Sequence, residues 1–268
     1  SDRPHARPPR PPPRHTPAAA PTAARRPPPP PAAGYTREPN QRSAHRSSQN
    51  LATAAHDHPP QHCPPTAGYY HPELFGQLDA LKERGKIRHY GVSVERVEEA
   101  MKAIGYPGVE TVQIIFNLFR QRPADRFFEL AEEADVGVIV RVPLASGMLT
   151  GKMQPDTVFT SDDHRSYNRH GEAFDVGETF AGVPYDIGLA AVDGLRDLAP
   201  HGATMAQMAL RWILMYKSVS TTIPGAKNVQ QARANAAASD LPAIDDATMA
   251  AVSDVYTTMI AEHVHERW

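Results

Sequence analysis

The sequence predicts an α/β protein with a parallel sheet, because short strands and helical patterns alternate along residues 86–227. The strands are runs of β-branched and aromatic residues that close at Ser, Asn, Pro or Gly, which is typical of buried parallel strands. Helical patterns lie between these runs, and strict alternation indicates right-handed βαβ units. Four such units form half of an eight-stranded βα (TIM) barrel. The predicted strands cover residues 87–94, 112–119, 136–144 and 219–225, and the predicted helices cover residues 73–84, 96–104, 124–134, 187–198 and 205–215.

Residues 1–60 differ sharply from the rest of the chain, since they consist mainly of Pro, Ala, Arg, Ser and His. Leu51 is the only Leu, Ile, Val, Met or Phe among them, so they bury too little apolar surface to offset the entropy lost on ordering. We expect a disordered tail over residues 1–60 and one folded domain over residues 61–268. The abrupt change near Pro60 suggests the hypothesis of an out-of-frame tail, which translation of the upstream nucleotides in the other frames would test.

Charge and composition exclude several classes of function. The net charge is −2 and the tail is basic, so the folded domain is acidic and unsuited to binding nucleic acid. No apolar run reaches the length of a membrane span, and the tail lacks the apolar stretch of a secretory signal. The single cysteine, Cys63, excludes an internal disulfide framework and suits the cytoplasm. The histidines lack the spacing of a zinc site, so no metal is expected.

Five motifs follow one another in a fixed order from residue 85 onwards. They are GKIRHYGVS at residues 85–93, VQIIFN at 112–117, VPLASGMLTGK at 142–152, MAQMALRWIL at 205–214 and TTIPGAKNVQQARAN at 221–235. Together they resemble the second half of an aldo-keto reductase, over residues 61 to about 241. The resemblance implies strands 5–8 of a TIM barrel, preceded by the end of strand 4.

The resemblance also implies NADPH-dependent reduction of an aldehyde or ketone to an alcohol. Family members use a Tyr as proton donor, a Lys–Asp pair that tunes it and a His that orients the carbonyl. The Tyr, Lys and Asp belong to the first half of the barrel, which is expected to be missing or replaced, so activity is expected to be impaired. Proton donation would then fall to Tyr69, Tyr70 or water. A non-catalytic NADP-binding fragment and an inert half-barrel are the alternatives.

The segment QHCPP at residues 61–65 resembles the end of the family's fourth strand, which makes His62 the candidate catalytic residue. A His beside two prolines also fits an ordinary loop residue. Two further residues match the family's site for the nicotinamide carboxamide, namely Ser93 at a strand end and Gln113 among apolar neighbours. A buried Gln needs a hydrogen-bond partner, and neighbouring strands would satisfy Gln113 equally well. Asn117 ends the same strand and is expected to face the barrel mouth.

Arg141 departs from the aromatic residue that many family members place against the nicotinamide. A planar guanidinium stacks on a ring or binds a phosphate, and an Arg after an apolar run needs a partner. We expect Arg141 to contact the cofactor, with a salt bridge at the rim as the alternative. The next stretch resembles the loop beneath the cofactor pyrophosphate, where small residues are expected to offer free backbone N–H groups. The expected cofactor contacts in that stretch are Pro143, Leu144, Ser146, Gly147 and Leu149.

The last motif resembles the family's site for the adenosine phosphate. Gly225 lets the backbone approach a phosphate, and the helix that starts near Asn228 points its N-terminus at that anion. Lys227 lies where family members meet the 2′-phosphate, which favours NADPH over NADH. Gln231 and Asn235 share a helical face and are expected to lie on the adenine side.

Residues 153–185 have weak periodicity and are expected to form a loop that closes over the cofactor at the barrel mouth. The charged residues 162–165 either take part in closure or form a solvated run of charges. A half-barrel would leave two strands without neighbours and its interior uncovered, and both favour association. We therefore expect either a homo-oligomer through exposed half-barrel edges or a poorly folded chain. The expected partner is a small carbonyl compound, with no nucleic acid and no membrane.

Overall fold

The computed structural model describes residues 61–268, and the expectations for residues 1–60 lie outside that range. Within it the backbone forms a parallel sheet of five strands, in which each strand pairs with the next along the chain. Helices connect the strands, so the predicted α/β class with a parallel sheet is confirmed. The strands are β1 (Gln61–His62), β2 (Tyr90–Ser93), β3 (Val109–Ile115), β4 (Gly137–Arg141) and β5 (Val219–Thr222).

Local sequence signals explain where several helices begin and end. Pro72 is the first residue of its helix, and Gly85, with a φ of 65°, follows the end of that helix. Thr204 and Gln207 form a capping box, in which each side chain accepts a hydrogen bond from the other residue's backbone N–H, at 3.2 Å and 3.0 Å. The helices of the described residues are α1 (Pro72–Glu83), α2 (Val97–Ala103), α3 (Phe127–Glu133), α4 (His164–Tyr167), α5 (Tyr185–Arg196), α6 (Met205–Ile213), α7 (Val229–Ala236), α8 (Asp246–Val255) and α9 (Ala261–Val264).

The two faces of the sheet differ in burial. Val92, Val112 and Val138 lie on one face and are fully buried in the apolar core that the helices share. Side chains alternate between faces along a strand, and those on the other face, such as Ser93 and Gln113, are partly exposed. The core therefore lies between the sheet and its helices, and the second face is open to polar ligands.

The prediction of a loop over residues 153–185 is wrong in part, because the segment contains α4 and two 3₁₀ turns, Val176–Glu178 and Phe180–Gly182. Asn168 is fully buried within it. Its Oδ1 accepts hydrogen bonds from the N–H groups of Ala173 and Phe174 at 2.8 Å and 2.9 Å. Side-chain bonds to the backbone, and not apolar periodicity, organise this segment, which explains why its sequence reads as a loop.

Candidate functional site

The two residues predicted to bind the nicotinamide carboxamide lie together near the carboxyl ends of β2 and β3. Ser93 and Gln113 pair in register, and Ser93 Oγ donates a hydrogen bond to Gln113 Oε1 at 3.0 Å. Among residues 61–268 no group accepts a hydrogen bond from Gln113 Nε2, so both of its hydrogens stay available. The bond also agrees with the alternative expectation, which was that a residue of a neighbouring strand is the hydrogen-bond partner of Gln113. The pair presents donors and acceptors side by side on the open face.

Asn117 does not face the barrel mouth as expected, because it is fully buried and supports the backbone. Its Nδ2 donates to the Val142 carbonyl at 2.9 Å, and its Oδ1 accepts from the Phe119 N–H at 2.8 Å. Val142 has a φ of 52°, a left-handed conformation that a β-branched residue rarely adopts. The bond from Asn117 helps to hold this strained turn, which directly follows Arg141.

Arg141 is paired with two carboxylates at the carboxyl edge of the sheet. Its guanidinium forms an ion pair with Glu178, lies 3.1 Å from a carboxylate oxygen of Glu95 and donates to the Val94 carbonyl at 2.9 Å. The Arg141 side chain is only 11% exposed. These contacts match the rim salt bridge that was the alternative to cofactor contact. The Nε of Arg141 is buried and has no partner among the described residues, so one donor of the group stays unused.

Burial and charge act against each other in this ion network. Burial raises the pKa of Glu95, while the neighbouring Arg141 guanidinium opposes that rise. Burial also disfavours the charged form of Arg141, but Glu178 and Glu95 outweigh it and raise the pKa of Arg141 above its usual value. Neither carboxylate carries a sequence signal that links it to Arg141, and sequence reasoning missed both.

The structure does not bring His62 to the Ser93–Gln113 pair. In β1, Gln61 Nε2 donates to Thr111 Oγ1 at 2.8 Å, which places Gln61 on the open face of the sheet. Successive residues of a strand point to opposite faces, so His62 lies on the other face from Ser93 and Gln113. The catalytic assignment of His62 stays a prediction.

Tyr69 is poorly placed to donate a proton to a substrate. It is 1% exposed, and its hydroxyl donates to the Ser93 carbonyl at 2.8 Å. Burial and the nearby Glu99 raise the pKa of Tyr69 above its usual range. Tyr69 therefore supports the end of β2, whereas Tyr70 is 59% exposed at the surface.

The expectation of free backbone N–H groups in the turn Ala145–Thr150 is wrong for Gly147 and Leu149, and the N–H of Gly151, which follows the turn, is also bonded. The N–H groups of Gly147 and Leu149 both donate to the Leu144 carbonyl, at 2.9 Å and 3.2 Å. The N–H of Gly151 donates to a carbonyl of the same turn at 3.1 Å. Left-handed φ values at residues 145–147 fold the turn tightly enough to satisfy these groups internally.

Ser146 joins this turn to the segment that follows it. Its Oγ donates to the Glu178 carbonyl at 2.9 Å and accepts from the Phe180 N–H at 3.1 Å. Pro143 and Leu149 are buried. Ser146, Pro143 and Leu149 therefore hold the turn in place. Their predicted contacts with a cofactor remain predictions.

The charged residues 162–165 are partly organised by a local ion pair. Asp163 caps α4 by accepting the Arg165 N–H at 2.9 Å, and its carboxylate also pairs with the Arg165 guanidinium at 2.5 Å. The bond from Arg165 holds the pKa of Asp163 well below its usual range. The same guanidinium lies over the Phe159 ring at 4.5 Å. These contacts stabilise the segment itself.

The turn after β5 is braced by the helix that follows it. Asn228 Oδ1 accepts from the Gln231 N–H at 2.9 Å, Gln231 Oε1 accepts from the Lys227 N–H at 2.7 Å, and Asn235 Nδ2 donates to the Gly225 carbonyl at 3.2 Å. Lys227 is exposed and has no ion pair with another described residue. A Cβ added to Gly225 would meet no atom within 4 Å, so the turn is open to a phosphate. Gln231 and Asn235 thus hold the turn in addition to their predicted place beside an adenine.

No group of three or more His, Cys, Asp or Glu side chains in residues 61–268 is arranged to hold a metal ion. In the same range, none of the helices combines the length and the apolar character that crossing a membrane requires.

Solved structures share the fold. A glycerol dehydrogenase from Gluconobacter oxydans is 28% identical with a TM-score of 0.53, and the match covers 70% of this chain and 53% of that one. The holo form of an aldo-keto reductase from Bacillus halodurans is 22% identical with a TM-score of 0.50, over 66% of this chain and 53% of the other, which shows the fold alone.

Curated relatives and a family model extend the likeness to sequence. An uncharacterised oxidoreductase of Bacillus subtilis, YqkF, is 26% identical over 61% of this chain and 48% of its own length. The aldo-keto reductase YhdN of the same organism is 28% identical over 59% of this chain and 45% of its own. The chain thus spans about half the length of the curated relatives it matches. The model of the aldo/keto reductase family matches residues 25–257, and the chain therefore belongs to the aldo/keto reductase family.

Proposed function

We propose that the chain takes part in NADPH-dependent reduction of an aldehyde or ketone to an alcohol. Membership of the family supports the reaction class. The observation that carries the proposal is the Ser93–Gln113 pair, because a carboxamide needs a donor and an acceptor side by side and the pair offers both. When the nicotinamide is bound, it supplies the hydride. His62 lies on the opposite face of the sheet from this pair, so its predicted role in orienting the carbonyl is not part of the proposed site.

The proposed cofactor site extends along the carboxyl edge of the sheet. Ser93 and Gln113 hold the carboxamide, and the unused Nε of Arg141 lies at the same edge. The open turn at Gly225 and the uncommitted cation of Lys227 take the 2′-phosphate at the far end. Supporting contacts come from Pro143, Leu144, Ser146, Gly147, Leu149, Gln231 and Asn235.

A binding measurement followed by an activity measurement tests this function. NADPH fluorescence should report binding by the parent, and Gln113→Leu should weaken it by about tenfold, the effect of about 1.4 kcal/mol. Gln77→Leu, at an exposed position of α1, is the control and should bind as the parent does. No binding by the parent would refute the proposal. Binding without carbonyl-dependent oxidation of NADPH would favour the non-catalytic NADP-binding alternative.

We also propose that the five strands are the second half of a TIM barrel and that a second copy of the chain covers its edges. Every residue of β5 is partly exposed, and α7 has no buried residue. Within the described sheet, β1 and β5 each have a neighbour on one side only. An edge of this kind favours pairing with another chain.

Gel filtration with light scattering should show a dimer or a larger species, and circular dichroism should report whether it melts cooperatively. A compact monomer with a cooperative melt would contradict the association.

The free thiol of Cys63 is exposed, which supports the cytoplasm as the proposed location.

A further inference from the structure

Trp268 is buried against the segment that carries Glu178. The residue is 4% exposed, and the indole N–H donates to Asp175 Oδ1 at 2.9 Å. The same oxygen accepts the Gly177 N–H at 2.7 Å, which starts the turn Val176–Glu178. One carboxylate oxygen therefore links the indole to the turn that ends at Glu178.

Two glycines leave room for the indole. A Cβ added to Gly177 would lie 2.9 Å from a ring atom of Trp268, and one added to Gly182 would lie 2.6 Å from another. Both distances are shorter than ordinary contacts between carbon atoms. The backbone at residues 177–182 is therefore packed directly on the ring, with no side chain between them.

Arg120 extends this contact to the backbone of Glu95, the residue that carries the second carboxylate of the ion network. Its guanidinium lies over the Trp268 ring at 4.2 Å and within 3.5 Å of the carbonyl oxygens of Ala181 and Glu95. Burial lowers the pKa of Arg120 to about 10, so it stays charged at neutral pH. A buried cation over an aromatic ring is a favourable contact, and here it connects Trp268 to Glu95.

The backbone beside the ring is strained. Phe180 and Ala181 have φ values of 53° and 59°, in the left-handed region that residues other than glycine rarely adopt. Such conformations persist only where the surroundings hold them. The contacts of Trp268 and Arg120 with residues 177–182 supply that support.

We propose that Trp268 is a positioning residue, which acts through Asp175 and Arg120 to hold Glu178 on Arg141. The indole fixes the turn, the turn fixes Glu178, and Glu178 keeps the Arg141 guanidinium covered at the carboxyl edge of the sheet. This contact lies within the chain itself and does not depend on the proposed function.

The rate at which phenylglyoxal modifies Arg141, followed by peptide mass spectrometry, measures how accessible its guanidinium is and needs no cofactor. In Trp268→Leu, which removes both the stacking and the indole N–H, Arg141 should react at least about fivefold faster than in the parent, a factor that corresponds to about 1 kcal/mol, the net contribution of one typical hydrogen bond. Trp268→Phe, which keeps a ring beneath Arg120, should give a smaller increase. Glu178→Gln, which weakens the ion pair directly, should match or exceed Trp268→Leu.

Arg211, which lies in α6, is the internal control. It is also buried, and its side chain donates to the Pro242 carbonyl at 3.0 Å. Its rate of modification should be unchanged in all variants. Glu266→Gln, an exposed neighbour of Trp268, should leave Arg141 as in the parent. An unchanged Arg141 rate in Trp268→Leu would overturn the proposal. An equal increase at Arg211 would also overturn it, because it would show general loosening and no positioning.

Discussion

The Arg141→Leu variant is expected to lose about 3–5 kcal/mol of its unfolding free energy at pH 8. The guanidinium is 11% exposed and faces the carboxylates of Glu95 and Glu178, which are 33% and 25% exposed. Removing the cation leaves two poorly hydrated negative charges near each other. The cost of leaving them unpaired exceeds the gain from the added apolar side chain.

The effect of Arg141→Leu should depend on pH. Burial already raises the pKa of Glu95, and loss of the cation raises it further. A carboxyl group whose folded pKa is raised stabilises the protein at pH values below its unfolded pKa, and that contribution is lost as pH rises through the folded pKa. The loss caused by the variant should therefore be smaller at pH 5 than at pH 8.

Denaturant unfolding at pH 5 and pH 8 measures both effects. Arg126→Leu is the matched control, since Arg126 and its partner Glu129 are 65% and 64% exposed. That variant should change the unfolding free energy by no more than about 1 kcal/mol. A deficit for Arg141→Leu that is equal at both pH values would show that charge burial is not its cause.

Lys227→Ala is expected to weaken NADPH binding by about 1–3 kcal/mol and to leave NADH binding almost unchanged. Lys227 is exposed beside the open Gly225 turn and pairs with no other described residue, so its charge is free for a phosphate monoester. Fluorescence titrations with the two cofactors measure the difference. Lys217→Ala, which removes a cation that pairs with Glu132, is the control and should affect neither cofactor. Equal losses for NADPH and NADH would exclude a contact with the 2′-phosphate.

Local patterns in the sequence determined most of the fold over the described residues. The strands β2, β4 and β5 and the helices α1–α3, α5 and α6 occur where the apolar periodicity predicts them, because that periodicity records which side of each element meets the core. The third strand is predicted at residues 112–119 but lies at Val109–Ile115, and the buried residues 116–119 follow it outside the sheet. The neighbouring places of Ser93 and Gln113 also follow from sequence. Both lie near the carboxyl ends of consecutive parallel strands, and register brings such residues together.

Only the tertiary structure decided which partners the polar groups at the carboxyl edge of the sheet pair with. Arg141 meets Glu178 37 residues further along the chain, and the Trp268 indole meets Asp175 across 93 residues. The N–H groups of the turn Ala145–Thr150 are consumed by the turn itself, which depends on left-handed φ values that its sequence does not reveal. Periodicity reports burial, which is averaged over many contacts, whereas a hydrogen bond or ion pair depends on one distance between two groups. That distance is set only when the whole chain has packed.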